Sequence, residues 1–235
     1  MTAESDFLAA YDPNDFDRPS VAVDVALVTI VDDELRVLVR QRPDHPYQGS
    51  WQLPGGFVGV GESLDSAAAR VIAEKAGLVD VFIEQLYTFG ALDRDPRTRV
   101  ITVAYYALVD AGRLSDLPDG VALATITVPW EGESGGPATL HGATETLHVA
   151  FDHADIVGMV VQRLRGKLDY APVGFELLPD EFTLFDLQRI HETVLGKPLN
   201  KDSFRRRMLT TGELEGTGQR RTGVGHRPAE LYRVR

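Results

Sequence analysis

GGFVGVGESLDSAAARVIAEKAGL, residues 55–78, is the stretch on which the fold turns. A glycine turn leads through the acidic Glu62 into an amphipathic helix that ends at Gly77. Ser63 is placed to cap the first turn, because its hydroxyl accepts from backbone N–H groups that lack an intrahelical partner. Gly77 suits the left-handed stop. At 3.6 residues per turn Leu64, Ala68, Val71, Ile72 and Lys75 share one stripe, and Arg70, Glu74 and Gly77 another. Arg70 precedes Glu74 by four positions, the less favourable order for a helix-stabilising pair, which favours a site role for both. Taken alone, the stretch reads equally well as a capped core helix.

The segment resembles the Nudix box. Gly56, Glu62, Arg70, Ile72, Glu74, Gly77 and Leu78 match its pattern at the right spacing, and Leu53-Pro54-Gly55-Gly56 is the usual entry. Val71 and Lys75 stand where that family has glutamates. The resemblance implies a helix whose glutamates hold magnesium or manganese over a pyrophosphate, the metal activating water. Hard cations need several oxygen ligands, and this helix keeps only Glu74. Val71 and Lys75 are four apart, so both losses fall on one patch. A unit charge 4 Å from another of its sign costs about 4 kcal/mol at an effective dielectric near 20, and about twice that against a dication. The expectation is no catalytic residue, no metal site and no cofactor, with a pocket for a nucleoside diphosphate retained. The alternative is an active hydrolase of ADP-ribose or another nucleoside diphosphate derivative, with Glu62 and a loop acid completing a site with Glu74.

Composition bounds the rest. With 235 residues, 43% of them hydrophobic, the chain can bury a substantial core. It has no cysteine, which excludes disulfides and thiolate metal sites. The acidic start, MTAESDFLAAYDPNDFDRPS, lacks a signal peptide's basic and apolar regions, and the apolar run 25–31 is too short to span a bilayer. A cytoplasmic protein with no membrane association is expected. The net charge of -11 is unevenly spread: residues 1–180 hold 13 Lys and Arg against 28 Asp and Glu, whereas 181–235 hold 11 against 7. A basic end on an acidic body points to local polyanion binding.

Before the glycine turn, residues 1–19 read as irregular, and 21–31 with 35–40 as a β-hairpin. Beyond the box helix, 79–90 reads as strand, and the loop 92–99 carries Arg94, Arg97 and Arg99 ahead of a strand at 100–109. These guanidinium groups can fork onto phosphate oxygens, which makes the loop a candidate anion clamp beside Gly55, Gly56, Glu62, Arg70 and Glu74. Weak strand signals at 121–128 and 147–150 flank a Gly-, Ser- and Pro-containing loop, 131–142, read as able to close over a ligand. A helix then runs from Asp152 or His153 to about Arg165. The domain reading is 1–166 for ligand sensing, 167–180 as linker and 181–235 for DNA binding.

In the basic end Thr183 and Asp186 form a capping box, and a helix at 184–195 stops at Gly196. Asn200 caps a second helix, 201–209, after a short turn, and strands at 213–217 and 229–234 can pair around GQRRTGVGHRP. That is the plan of a winged helix-turn-helix. On the second helix Phe204 and Met208 point inward, while Ser203, Arg206 and Thr210 point away. Arg206 is the candidate base reader, since arginine pairs bidentately with guanine in the major groove. Lys201, Arg205, Arg207, Arg220, Arg221 and Arg227 are candidate phosphate contacts, with Thr217 and His226 beside them on the wing.

The two halves together resemble the NrtR family of bacterial transcriptional regulators. Beyond the box, the resemblance rests on RDPRTRVITVAYYAL (94–108), FDHADI (151–156), FTLFDLQ (182–188), NKDSFRRRM (200–208) and HRPAELYR (226–233). It implies an α+β chain, a Nudix α/β/α sandwich-like mixed sheet followed by a winged helix-turn-helix domain. It also implies a homodimeric repressor of NAD biosynthesis or salvage genes on a near-palindromic operator in double-stranded DNA. ADP-ribose or a related nucleotide is the implied effector; Nudix-fused regulators that answer to sugars supply the alternative.

Overall fold

The computed structural model describes residues 2–114, 117–168, 172–221 and 228–235. In chain order the elements are α1 (Ala3–Ala10), β1 (Ser20–Val31), β2 (Glu34–Gln41), β3 (Trp51–Gln52), β4 (Gly55–Phe57) and α2 (Leu64–Ala76). Next come β5 (Phe82–Phe89), β6 (Val100–Leu108), β7 (Val121–Thr127), β8 (Thr139–His141) and α3 (His153–Lys167). The chain ends with α4 (Leu184–Leu195), α5 (Lys201–Thr210), β9 (Leu214–Arg221) and β10 (Ala229–Val234).

The large sheet runs β5-β6-β1-β2-β7-β8, with β3 on β2 and β4 on β1. Among the described strand pairs of this sheet, β1–β6 is the parallel one. β1 is central and reads SVAVDVALVTIV, a near-continuous apolar run as expected for a strand covered on both faces. Val23, Val25 and Leu27 pack with Ala67, Ala68, Val71 and Ile72 of α2. Ala26 and Val28 face the other way, onto Ile156, Val157, Val160, Val161 and Leu164 of α3. The result is a helix–sheet–helix sandwich, as expected. Each fully buried Val, Leu or Ile contributes about 1.5–3 kcal/mol through removal from water.

α2 begins and ends where its sequence says. Ser63 accepts from the Ser66 amide at 3.1 Å, and Gly77 closes the helix at φ 67°. Four expectations are corrected. Residues 3–10 form a helix because the Thr2 hydroxyl accepts from the Ser5 amide, but every one of its residues is exposed. The strand expected at 147–150 is reduced to an isolated bridge between Trp51 and Val149, while β8 arises inside the loop read as 131–142. The rest of that loop lies along α3 instead of over a ligand: Gln162 donates to the Glu133 carbonyl at 2.7 Å, and the Ala138 amide to the Ala154 carbonyl at 2.9 Å. The 167–180 segment is no open tether where it is described. A 3-10 turn, Pro172–Leu177, buries Val173 and Leu177 in the core under α4.

Gly158 shows how tightly loop and helix meet. A Cβ there would lie 1.9 Å from the Gly136 carbonyl oxygen, a backbone atom with little freedom to move. Gly158→Ala is expected to lower stability by roughly 1–3 kcal/mol through overpacking, read as a shift of the urea midpoint.

α4 belongs to both halves. Its Ile190 and Val194 sit in the core beneath α3, and its Leu184 and Leu187 pack with Phe182, Phe204, Met208, Leu214 and Tyr232 in the small C-terminal core. Arg165 of α3 donates to the Val194 carbonyl at 2.9 Å, and Arg189 pairs with Asp33 in the β1–β2 turn. The two halves therefore share α4 as a common packed element.

Candidate ligand cavity and nucleic-acid interface

A cavity of about 330 Å³ opens beside the glycine turn. Its wall comes from β1 (Asp24), β2 and the loop after it (Arg40, Arg42), β4 (Gly55, Gly56, Phe57) and α2 (Lys75). The loop before β6 adds Arg94 and Arg97, and the entry to α3 adds Phe151 and His153. Of the sequence-predicted ligand residues, Gly55, Gly56, Arg94 and Arg97 line it, and Glu62, Arg70, Glu74 and Arg99 do not. Gly55 is required by close approach, since a Cβ would lie 2.2 Å from the Asp24 Oδ1.

Each arginine of the expected clamp is engaged by an acceptor of the protein itself. Arg94 has a 4% exposed side chain and donates to both oxygens of Asp152 at 2.9 and 2.7 Å and to Asp24 at 3.2 Å. Burial alone would lower the Arg94 pKa; the hydrogen bonds and charges of Asp152 and Asp24 more than reverse this and hold it above its ordinary value. Arg97 forks onto Asp95 at 3.0 and 2.8 Å, and the Asp95 carboxyl is held below its usual range by that bond. Arg99 donates to the Ala91 carbonyl at 2.9 Å. Loop composition announces the charges, but the aspartates that engage Arg94 are 58 and 70 residues distant in the chain.

His153 sits under the same cluster. Its Nδ1 accepts from the Leu53 amide at 2.9 Å, which assigns the proton to Nε2, 3.5 Å from Asp24. Burial holds the imidazole below its ordinary pKa, with Arg94 and Arg42 adding to the depression and Asp24 and Asp152 opposing it. The folded protein thus keeps His153 neutral where the unfolded chain takes up a proton near pH 6.5. Stability contributed by this group is present above about pH 6.5 and falls as pH drops below it, by up to about 1.4 kcal/mol per unit. His153→Gln is expected to flatten that segment of the stability curve between roughly pH 6.5 and 5. Urea midpoints of both proteins across that range measure the difference; parallel curves would show that His153 is not the group responsible.

Glu62, ahead of α2, forms a separate bracket with Arg70 and Glu74 of that helix. Arg70 donates to Glu62 at 2.6 and 3.0 Å and to the Phe57 carbonyl at 3.1 Å, and Glu74 lies 3.5 Å from its other amine. The bond from Arg70, with one from the Gly59 amide, holds the Glu62 carboxyl down at about 2. The bracket fastens the glycine turn to the helix. Val71 is fully buried against Gly56, in the apolar core. Among the described residues, no group of three or more His, Cys, Asp or Glu side chains is placed to hold a metal ion.

Sequence reasoning misses Asp24, Arg40, Arg42, Phe57 and Phe151 altogether. Phe151 adopts φ 54°, a conformation costly for a residue with a Cβ, and stacks beneath the Arg42 guanidinium at 4.8 Å. The one available signal is the RQR run at 40–42, basic residues directly after the apolar Val37-Leu38-Val39.

At the other end, Asn200 caps α5 through the Ser203 amide at 3.0 Å, and Phe204 and Met208 are buried. Lys201, Ser203, Arg205, Arg206 and Arg207 are all exposed, with the Arg207 guanidinium over the Phe204 ring. Lys201, Arg205 and Arg220 line a groove of about 700 Å³ between α4, α5 and the wing. Two of the expected wing contacts have partners within the protein. Arg221 forks onto Asp186 at 3.0 and 2.7 Å, tying the wing to the start of α4, and Thr217 donates to the Leu231 carbonyl at 3.1 Å inside the hairpin. Both satisfy the protein's own acceptors. His226 and Arg227 lie outside the described residues.

Fold and sites together define a class: a Nudix domain with a cation-lined cavity, joined through α4 to a winged helix. Residues 21–130 match the NUDIX domain model, and 174–234 match that of the NrtR DNA-binding winged helix domain. The chain is 36% identical to an ADPR responsive transcriptional repressor, NtrR, of Acinetobacter baylyi, over 99% of this chain and 89% of the relative. It therefore belongs to the NrtR family of regulators. Among solved structures it resembles Shewanella oneidensis NrtR complexed with a 27mer DNA (35% identity, TM-score 0.78, covering 92% of this chain and 93% of that one). It also resembles the NUDIX domain of the same protein complexed with ADP ribose (34% identity, TM-score 0.52, covering 70% of this chain and 99% of that one). Among the described residues, no helix is long and apolar enough to cross a membrane.

Proposed function

We propose that this chain is a transcriptional repressor that holds double-stranded DNA through α5 and the wing and releases it when ADP-ribose enters the Nudix cavity. The observation that carries the reading is the dual burial of α4, which ties the cavity-bearing core to the helix pair that presents Arg205, Arg206 and Arg207. A ligand moves such a switch only through preference for the DNA-incompetent arrangement. A 10- to 100-fold release needs roughly 1.4–2.8 kcal/mol of that preference.

The proposed regulator works in the cytoplasm as a homodimer, with two α5 helices on half-sites of a near-palindrome that controls NAD biosynthesis or salvage genes. It is proposed to be no hydrolase and to need no magnesium or other cofactor. Glu62 and Glu74 are engaged by Arg70, Val71 is in the core, and Lys75 lines the cavity, which is a poor ligand set for a hard dication.

A gel-shift with DNA from the protein's own gene neighbourhood, titrated with ADP-ribose, NAD and simple sugars, tests the reading. Selective release by ADP-ribose supports it, and release by a sugar alone overturns the effector. Turnover of ADP-ribose at ordinary enzyme rates with Mg2+ or Mn2+ would instead establish a hydrolase.

A further inference from the structure

Five cationic side chains line the cavity: Arg40, Arg42, Lys75, Arg94 and Arg97. Two are neutralised, Arg94 by Asp24 and Asp152 and Arg97 by Asp95. Arg42 is held by neutral acceptors only, the Pro46 and Asp44 carbonyls and Gln52. The Lys75 and Arg40 side chains have no hydrogen-bond or ion-pair partner among the described residues. Burial, then the charge of Arg97, pulls the Arg42 pKa below its ordinary value, and the carboxylates of Asp95 and Asp44, which also line the cavity, only partly oppose this.

Arg40, Arg42 and Lys75 are thus the cavity cations that no carboxylate of the described residues pairs with, and the oxygens of an anionic ligand would complete them. Lys75 reaches the cavity from α2 at one of the two positions where the Nudix pattern has a glutamate. In an ordinary box, negative side chains there are bridged to a negative ligand by a dication. A lysine needs no bridge, because its own ammonium pairs with phosphate oxygens directly.

We propose that Lys75, with Arg40 and Arg42 across the cavity, is the pyrophosphate-binding group of this site, so that the ligand is held without a divalent cation. This rests on the reading of the cavity as a nucleoside-diphosphate site. It moves the anion clamp from the loop arginines to α2 and β2. It also removes the metal that would activate water, so the same substitution that binds the ligand preserves it from cleavage. Lysine at this position is thus a specificity-determining residue, selecting a diphosphate over uncharged nucleosides.

Calorimetric titration of the full-length protein tests this with three probes, ADP-ribose, inorganic pyrophosphate and adenosine, each in EDTA and in MgCl2. The wild type is expected to bind ADP-ribose and pyrophosphate equally well in both. Lys75→Met is expected to weaken both by roughly tenfold or more, and Lys75→Arg to retain most of the affinity, with adenosine unaffected by either change. An unchanged thermal midpoint for Lys75→Met separates lost binding from lost folding. ADP-ribose binding that survives Lys75→Met, or that requires MgCl2, overturns the proposal and leaves the effector reading intact. If the wild type binds no ADP-ribose but binds pyrophosphate through Lys75, the effector reading fails and the anion site stands. Binding of neither removes both.

Discussion

Arg94→Met is expected to cost roughly 3–5 kcal/mol of folding stability, the range for removing one partner of a buried charge cluster. The side chain is 4% exposed, and its loss leaves Asp24 at 10% and Asp152 at 18% exposure with no cation in contact. Methionine fills much of the volume, so packing accounts for little of the loss. The charges can be separated from the space: adding Asp24→Asn and Asp152→Asn to Arg94→Met should recover part of the deficit, because no buried ion is then unpaired. Urea denaturation at pH 7 measures both. A loss below about 1 kcal/mol would mean that water reaches the cluster and screens it.

Arg206→Ala is expected to weaken operator binding by roughly 1–3 kcal/mol and to relax preference at one base pair. Arg206 stands on the exposed face of α5, opposite the buried Phe204 and Met208, with no side-chain partner among the described residues to compete for its guanidinium. Lys201→Ala should behave differently, lowering affinity for every sequence alike and reducing the slope of log affinity against log salt by about 1. Fluorescence anisotropy with operator and scrambled duplexes at several salt concentrations distinguishes them. If Arg206→Ala lowered affinity for both duplexes equally, the base contact would belong to another residue.

The helices with local signals are legible in the residues that bound them. Ser63 and Gly77 delimit α2, Thr183 with Asp186 opens α4, Gly196 ends it and Asn200 opens α5, each through contacts within a few residues. The apolar run of β1 likewise announces a strand covered on two sides. The wing strands are legible too, but the first comes out too short, because its pairing extends to Arg221 opposite Ala229. The linker reading fails for a similar reason: Pro172, Gly174 and Pro179 break helices, but nothing local shows that Val173 and Leu177 have a core to enter.

The order of domains, the caps, the degenerate Nudix box and the basic face of α5 all follow from the sequence alone, because each is written in spacing that a few residues of backbone geometry translate directly. Which charges remain available follows only from the packing of distant elements. Asp24 and Asp152 arrive from β1 and the entry to α3 to claim Arg94, Asp186 claims Arg221, and Arg70 claims Glu62. Lys75 and Arg40, 35 positions apart, are left facing one cavity. An ionic side chain is defined by what lies within about 4 Å of it, and that distance is set by how the sheet and its helices pack.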